Sequence, residues 1–403
     1  MSSSTFATLT VVFAIGVLSP FVADVLGRTR LNAVVVEIVA GVVVGPHVAG
    51  IAHLAPAVNE IASVGLTLLI FLAGFEIDFS SVRGRPFWLA GAGWLVSVAL
   101  ALVAGVAVQL GGRAAASVVI AIALTTTALG MVMPMWRDVG LSGTRFGADA
   151  MAAGIAGELG PIVLISLFLV GEHPVRSSLI LVAFAVASVA AAFVASRRKP
   201  GRLLDTIARH THSSSQLPFR LAVLVILALL WMAARFGLDV LLGAFAAGVI
   251  VRLGSGGVDL DLLGMKLDAV AYGVFVPVFF VVTGMRLDVH ELVADPWNLA
   301  RMAVLLVAFL VVRGVPVPLL YRRDLPRGER LPLALFSAAA LPLVVVVAEL
   351  GVSAGLITPG TEATLVGAAM ISVVAYPPLA LHLLVRNGFA VRGPAPAPPD
   401  QLE

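Results

Sequence analysis

Apolar residues run along this chain in blocks of about twenty, each closed by Gly, Pro or a charged residue, and blocks of that length predict helices that cross a bilayer. Thirteen can be placed, near 6–27, 32–50, 60–79, 86–111, 114–135, 146–171, 177–196, 217–235, 238–253, 267–287, 297–320, 330–351 and 360–386. Polar positions fall between the blocks, and the basic ones fall unevenly. Arg28, Arg30, Arg83, Arg85, Arg137, Arg145, the run from Arg197 to Arg209, Arg322, Arg323 and Arg327 follow odd-numbered blocks, whereas the other face has scattered ones such as Arg113, Arg176 and Arg235. Basic loops stay in the cytoplasm, so the N-terminus is expected outside and the C-terminus inside, which an odd number of spans requires.

Composition agrees with the pattern. Sixty per cent hydrophobic residues, 12% charged and a mean hydropathy of +1.05 exclude a water-soluble globule. With no cysteine, thiol catalysis and thiolate metal sites are off the list. MSSSTF has no basic region and no cleavage site, so the first block reads as a span. Residues 393–403, rich in Pro, read as a disordered cytosolic tail behind a transmembrane unit of 1–392, with no nucleotide-binding domain after it.

The blocks also repeat. FLAGFEID at 71–78 returns as VVTGMRLD at 281–288, with Gly74, Glu76 and Asp78 answered by Gly284, Arg286 and Asp288. EIVAGVVVG from Glu37 in span 2 is echoed by GAFAAGVIV from Gly243 in span 9. ALTTTALGMVMP in span 5 and FSAAALPLVVVV in span 12 each place small, polar or Pro residues inside an apolar helix. Offsets near 210 residues and seven spans make the copies, about 32–196 and 238–386, point in opposite directions. The expected fold is therefore all-α and polytopic, an inverted repeat with two discontinuous helices, the plan of secondary transporters.

Ionisable residues within the blocks are the candidate chemistry, because each costs about 2.5–3.5 kcal/mol to place at mid-membrane. Glu158 lies about 18 Å along span 6 from Phe146, near the centre. Its surroundings, AGELGP, thin the helix at Gly154, Gly157 and Gly160 and leave room for another chain or water. A carboxylate there can be neutralised by a proton or by a metal cation in turn; the alternative is an ion pair that never opens. Arg313 in LVVRGVPVP keeps its proton, so it is expected as a permanent counter-charge, with snorkelling to the inner interface as the alternative. Thr125, Thr126 and Thr127 in one interruption and Ser337 in the other offer the oxygen ligands hard cations prefer, although such hydroxyls also bond back to their own helix. Glu37, Glu76, Asp78 and Glu349 sit nearer helix ends, where structural pairing is expected, and Asp239 and Asp288 read as cap or interfacial residues. His47, His53, His210 and His212 fall in loops without metal-ligand spacing, and no phosphate-cradling loop is present, so no enzyme, cofactor or nucleic-acid partner is expected.

With these residues in view, the sequence resembles bacterial monovalent cation:proton antiporters of the sodium/proton exchanger fold. VVVEIVAGVVVGPHVAGI, LTLLIFLAGFEIDF, RLAVLVILALLWMAARFGLDVLLGAFAAGVIV and VFVPVFFVVTGMRLDV carry the resemblance over almost the whole chain. It implies a homodimer in the cell membrane, two crossed broken helices, elevator-like movement, and exchange of Na+ or K+ for H+ in pH homeostasis. It also implies that Glu158 is the shared cation and proton carboxylate, with Thr126 and Thr127 in the first broken helix and Ser337 in the second. Two departures stand out: Gly157 precedes Glu158 where electrogenic relatives have a second acid, and Arg313 stands where they have Lys. One titratable group per site predicts electroneutral exchange. The rival readings are an uncoupled channel-like pathway and an organic-anion transporter in which Arg313 binds a carboxylate.

Overall fold

The computed structural model describes residues 3–25, 33–77, 84–108, 114–141, 143–170, 174–197, 216–254 and 259–388. Every regular element among them is helical. In chain order they are α1 (Ser3–Val25), α2 (Ala33–Val44), α3 (Pro56–Phe75), α4 (Arg85–Val108), α5 (Ala114–Leu124), α6 (Leu129–Asp138), α7 (Arg145–Ile165), α8 (Pro174–Arg197) and α9 (Leu217–Arg235). The second half continues with α10 (Val240–Gly254), α11 (Leu260–Val270), α12 (Val276–Arg286), α13 (Val289–Ala294), α14 (Pro296–Gly314), α15 (Pro316–Leu320), α16 (Arg327–Ala338), α17 (Pro342–Ser353) and α18 (Pro359–Arg386). Arg28, Arg30, Asp78, Arg83, Arg198, Lys199, Arg202, Arg209, His210, His212 and the tail 393–403 lie outside the described residues.

Ten helical stretches among the described residues are long and apolar enough to cross a membrane. Three shorter apolar helices, Ala33–Val44, Ser177–Ala191 and Val240–Gly254, stand where the second, seventh and ninth spans are expected. Helix starts follow from the local sequence: Thr144, Asp259, Asp295 and Thr358 each accept a backbone N–H from the first turn of the helix they open. The tenth span begins earlier than its apolar block, at Leu260, because Asp261, Lys266 and Asp268 interrupt the block without interrupting the helix. A π turn, Ala271–Phe275, joins α11 to α12.

The interruptions in spans 5 and 12 are real gaps, 125–128 between α5 and α6 and 339–341 between α16 and α17. Three successive Thr residues draw the first chain off the helix by bonding to nearby carbonyls, and Pro342 at the head of α17 brings no N–H to continue the second.

The inverted repeat is visible in how four helices cross. Gly41 of α2 lies against the carbonyl of Val281 in α12, and Gly284 of α12 lies against the carbonyl of Ile38 in α2. The same exchange joins α3 and α10: Gly74 meets the carbonyl of Phe245, and Gly248 meets the carbonyl of Phe71. A methyl at any of the four would overlap backbone, so the helices approach as closely as glycine permits. Gly41 and Gly248 are 207 residues apart and Gly74 and Gly284 are 210 apart, so each crossing is the image of the other under the repeat.

The same symmetry accounts for Glu76 being answered by Arg286. Glu76, just past α3, pairs with Arg137 at the end of α6, which also reaches Asp268 at 3.2 Å. Arg286, at the end of α12, pairs with Glu349 near the end of α17 at 2.9 Å and donates to Asn59 at 3.1 Å. Each repeat ties the far end of its second half-helix through an ion pair to the end of the helix that carries the repeated phrase, and the two ties have opposite polarity.

Candidate functional site at the crossing of two broken helices

The two gaps meet. The N–H of Ala128 donates to the carbonyl of Ala339 at 2.7 Å, and the Thr127 hydroxyl donates to the carbonyl of Ser337 at 2.6 Å. Chain freed from a helix in an apolar interior must find such partners, and here each gap supplies some of the other's.

Glu158 enters from α7. Its Oε2 accepts the N–H of Leu129, the first residue of α6, at 3.0 Å, while the N–H of Thr127 donates to the carbonyl of Gly157 at 2.8 Å. A helix start leaves its first N–H groups without intrahelical partners and carries partial positive charge, so the carboxylate occupies a natural anion position. Only 1% of Glu158 is exposed.

Arg313 enters from α14 on the other side of Thr127. Its Nε donates to the Thr127 hydroxyl at 3.0 Å, Nη1 to the Ser97 hydroxyl at 3.3 Å and Nη2 to the carbonyl of Ala153 at 3.0 Å. It is 4% exposed, so it does not snorkel to an interface. Thr127 thus accepts from Arg313 and donates to Ser337, using its hydroxyl in both senses.

The glycines around Glu158 are packing requirements. A Cβ at Gly157 would overlap both Arg313 Nη2 and the Thr127 side chain; one at Gly160 would enter the Trp94 ring; one at Gly154 would strike Leu129.

Of the residues expected from sequence, Glu158, Thr127, Ser337 and Arg313 come together. Ser337 joins this network through its carbonyl. Thr126 lies beside them, but its hydroxyl donates back to Ala123 at 2.8 Å, as that of Thr125 does to Ile122 at 2.7 Å. No ion pair among the described residues joins Glu158 to Arg313. Ser97, a lone hydroxyl in an apolar span, escaped the sequence reading although its signal was there. The backbone groups of Leu129, Ala153 and Ala339 carry no signal at all.

The peripheral acids sort by partner. Glu76 and Glu349 are paired as expected, Asp239 caps Leu241 at 2.8 Å, and Asp288 caps His290 and Glu291. Glu37 differs: it is 5% exposed and has no hydrogen bond or ion pair among the described residues. Nor do those residues contain a group of three or more His, Asp or Glu able to hold a metal ion.

Known proteins share this architecture. The putative Na(+)/H(+) antiporter YjbQ of Bacillus subtilis is 26% identical over 400 residues, covering 94% of this chain and 63% of its own length. The probable Na(+)/H(+) antiporter GerT of Bacillus cereus is 22% identical, over 70% of this chain and 74% of the relative. The glutathione-regulated potassium-efflux system protein KefC of Klebsiella pneumoniae is 26% identical over 75% of this chain, which spans 48% of that relative. Two solved structures of the sodium proton antiporter MjNhaP1 from Methanocaldococcus jannaschii superpose with TM-scores of 0.65 and 0.70 at 16% and 15% identity, covering 96% and 97% of this chain and 98% of each MjNhaP1 chain; they share its fold. The model of the transmembrane sodium/hydrogen exchanger family matches residues 11–382, and the chain belongs to that family.

Proposed function

We propose that this protein exchanges a monovalent cation, Na+ or K+, for H+ across the cell membrane by alternating access, and that Glu158 carries both ions in turn. The observation behind the reading is the position of Glu158: a carboxylate sealed at the helix crossing, held by one backbone N–H and lacking an ion-pair partner among the described residues. Such a group must be neutralised to move through an apolar interior, by one proton or one cation. Thr126, Thr127 and Ser337 contribute oxygen ligands beside it, and Arg313 is a permanent counter-charge that also holds Thr127.

Exchange is electroneutral in this reading because the site has no room for a second acid. The space that a side chain at position 157 would need is filled by Arg313 and Thr127. The organic-anion reading has less support, since three nitrogens of Arg313 already have protein acceptors. The chain acts as a transporter and not an enzyme. It crosses the membrane thirteen times with its N-terminus outside, has repeats near 32–196 and 238–386 followed by a cytosolic tail, and works as a homodimer.

The test is proton movement in proteoliposomes, read by a pH-sensitive dye on addition of Li+, Na+, K+ or Rb+. Wild type should dissipate an imposed proton gradient with at least one of these, insensitively to membrane voltage, and drive that cation uphill. Glu158→Gln should do neither. Undiminished exchange by Glu158→Gln overturns the assignment, and voltage-dependent exchange overturns electroneutrality alone.

A further inference from the structure

Glu37 is a buried acid that the crossing does not use. It lines a cavity of about 410 Å³ walled by α1, α2, α6, the π turn and α12, with Phe13, Pro134, Tyr272, Gly273 and Phe280 among its lining residues. A carboxylate 5% exposed and unpartnered among the described residues, facing open volume, is costly unless something visits it.

Three features say what that visitor is. A π turn carries one residue beyond the helical repeat, and such turns recur at functional sites. Here the turn Ala271–Phe275 forms a wall of the cavity, and a Cβ at Gly273 would meet no atom within 4 Å. Carboxylate and carbonyl oxygens together are ligands for a hard cation, and a single carboxylate balances a single positive charge. Finally, the volume accommodates an ion with several waters, each needing about 30 Å³.

The position connects this cavity to the crossing. Tyr272 lines it and donates from its hydroxyl to the carbonyl of Gly130 at 2.8 Å, and Gly130 adjoins Leu129, whose N–H holds Glu158. The cavity wall is therefore tied to the same turn of α6 that holds Glu158. Span 2 begins and span 5 ends on the same face, the cytoplasmic one by the distribution of basic residues.

We infer that Glu37 and the cavity beside the π turn form a second binding site for one monovalent cation, an anteroom on the cytoplasmic half of the pathway to Glu158. The inference rests on the exchange reading above, which assigns only Glu158.

Carbodiimide labelling tests it without requiring transport. Dicyclohexylcarbodiimide modifies protonated carboxyls in apolar surroundings, and a bound cation protects by keeping the carboxylate charged. In full-length Glu158→Gln protein reconstituted in liposomes, modification of Glu37, located by peptide mass spectrometry, should fall about tenfold in saturating NaCl, KCl or RbCl relative to N-methylglucamine chloride. Absence of protection by all three salts overturns the site, whatever Glu158 does. A second arm uses Glu37→Gln in otherwise native protein. The cytoplasmic half-saturating cation concentration should rise about fivefold with maximal rate nearly unchanged, since a binding role and a structural role divide there. A lower maximal rate at unchanged half-saturation overturns it; if that variant fails to fold, the labelling arm decides alone.

Discussion

At the first gap the N–H of Leu129 is shared between the carbonyl of Thr127 at 3.1 Å and the carboxylate of Glu158 from α7 at 3.0 Å, whereas at the second the N–H of Ala340 donates to the hydroxyl of Ser372 from α18 at 3.1 Å, whose own proton is shared between the carbonyls of Ala369 at 2.7 Å and Ala340 at 3.1 Å. α7 and α18 are equivalent helices of the two repeats: Gly157 and Gly367 are 210 residues apart, and the position after each holds Glu158 in one and Ala368 in the other. One architecture has thus been completed with a group that can change charge and once with a group that cannot. A broken helix needs something to bond its loose backbone, but an ion carrier needs that something to be titratable. The fold meets the first need twice and the second once.

The comparison breaks most readily at the two bonding groups. Glu158→Ala should abolish dye-monitored exchange and also lower thermal stability in detergent, since the buried N–H of Leu129 loses its carboxylate acceptor, a cost of about 1–3 kcal/mol. Ser372→Ala should produce a loss of stability of the same order yet retain exchange; if it too stopped exchange, the second gap would be more than scaffolding.

Next come the glycines. Gly157→Ala forces a methyl into Arg313 and Thr127 and should cost about 1–3 kcal/mol with loss of exchange. Gly367→Ala would meet the Met302 sulfur at 3.0 Å, the end of a flexible side chain that can yield, and should stay within about 1 kcal/mol of wild type in the same melts.

The ion pairs sharpen the contrast further. The side chain of Glu76 is 5% exposed and that of Glu349 is 59% exposed. Arg137→Ala strands a buried carboxylate and should destabilise by about 2 kcal/mol, less than a fully buried pair because Arg137 itself is partly hydrated. Arg286→Ala should cost under about 1 kcal/mol.

The smallest effect concerns the clasp between halves. Asp324, in the connection before α16, pairs with Arg85 of α4 and Arg145 of α7. The hydrogen bond from Arg85 holds its carboxyl below the usual carboxylate range. Because the folded value is the lower one, the clasp contributes fully above the unfolded value of about 3.9 and is lost as pH falls through the folded one. Melting of wild type and Asp324→Asn at a series of pH values should show a gap above about pH 4 that closes below it.

Much of this was legible because lipid makes the wrong residue conspicuous. Glu158 and Arg313 stand out in apolar runs, Pro342 and the Thr triplet mark the gaps, and Gly74 and Gly284 sit within the repeated phrases. What escapes is what depends on register across space. Thr126 and Thr127 are the same residue one step apart, and only the crossing turns the second toward Ser337 and Arg313. Ala128 and Ala339 bond through backbone, which any residue possesses. Glu37 resembles Glu349 as an acid near a helix end, and whether a partner arrives depends on helices remote in sequence.

The reciprocal bedding of glycine on carbonyl has a consequence for assembly. Gly41 and Gly74 seat on rails supplied by the other repeat, and Gly248 and Gly284 return the favour, so a single repeat cut free would have grooves with nothing to fill them. Neither half of this chain should therefore reach a stable interior in the bilayer until the other has been inserted the opposite way up.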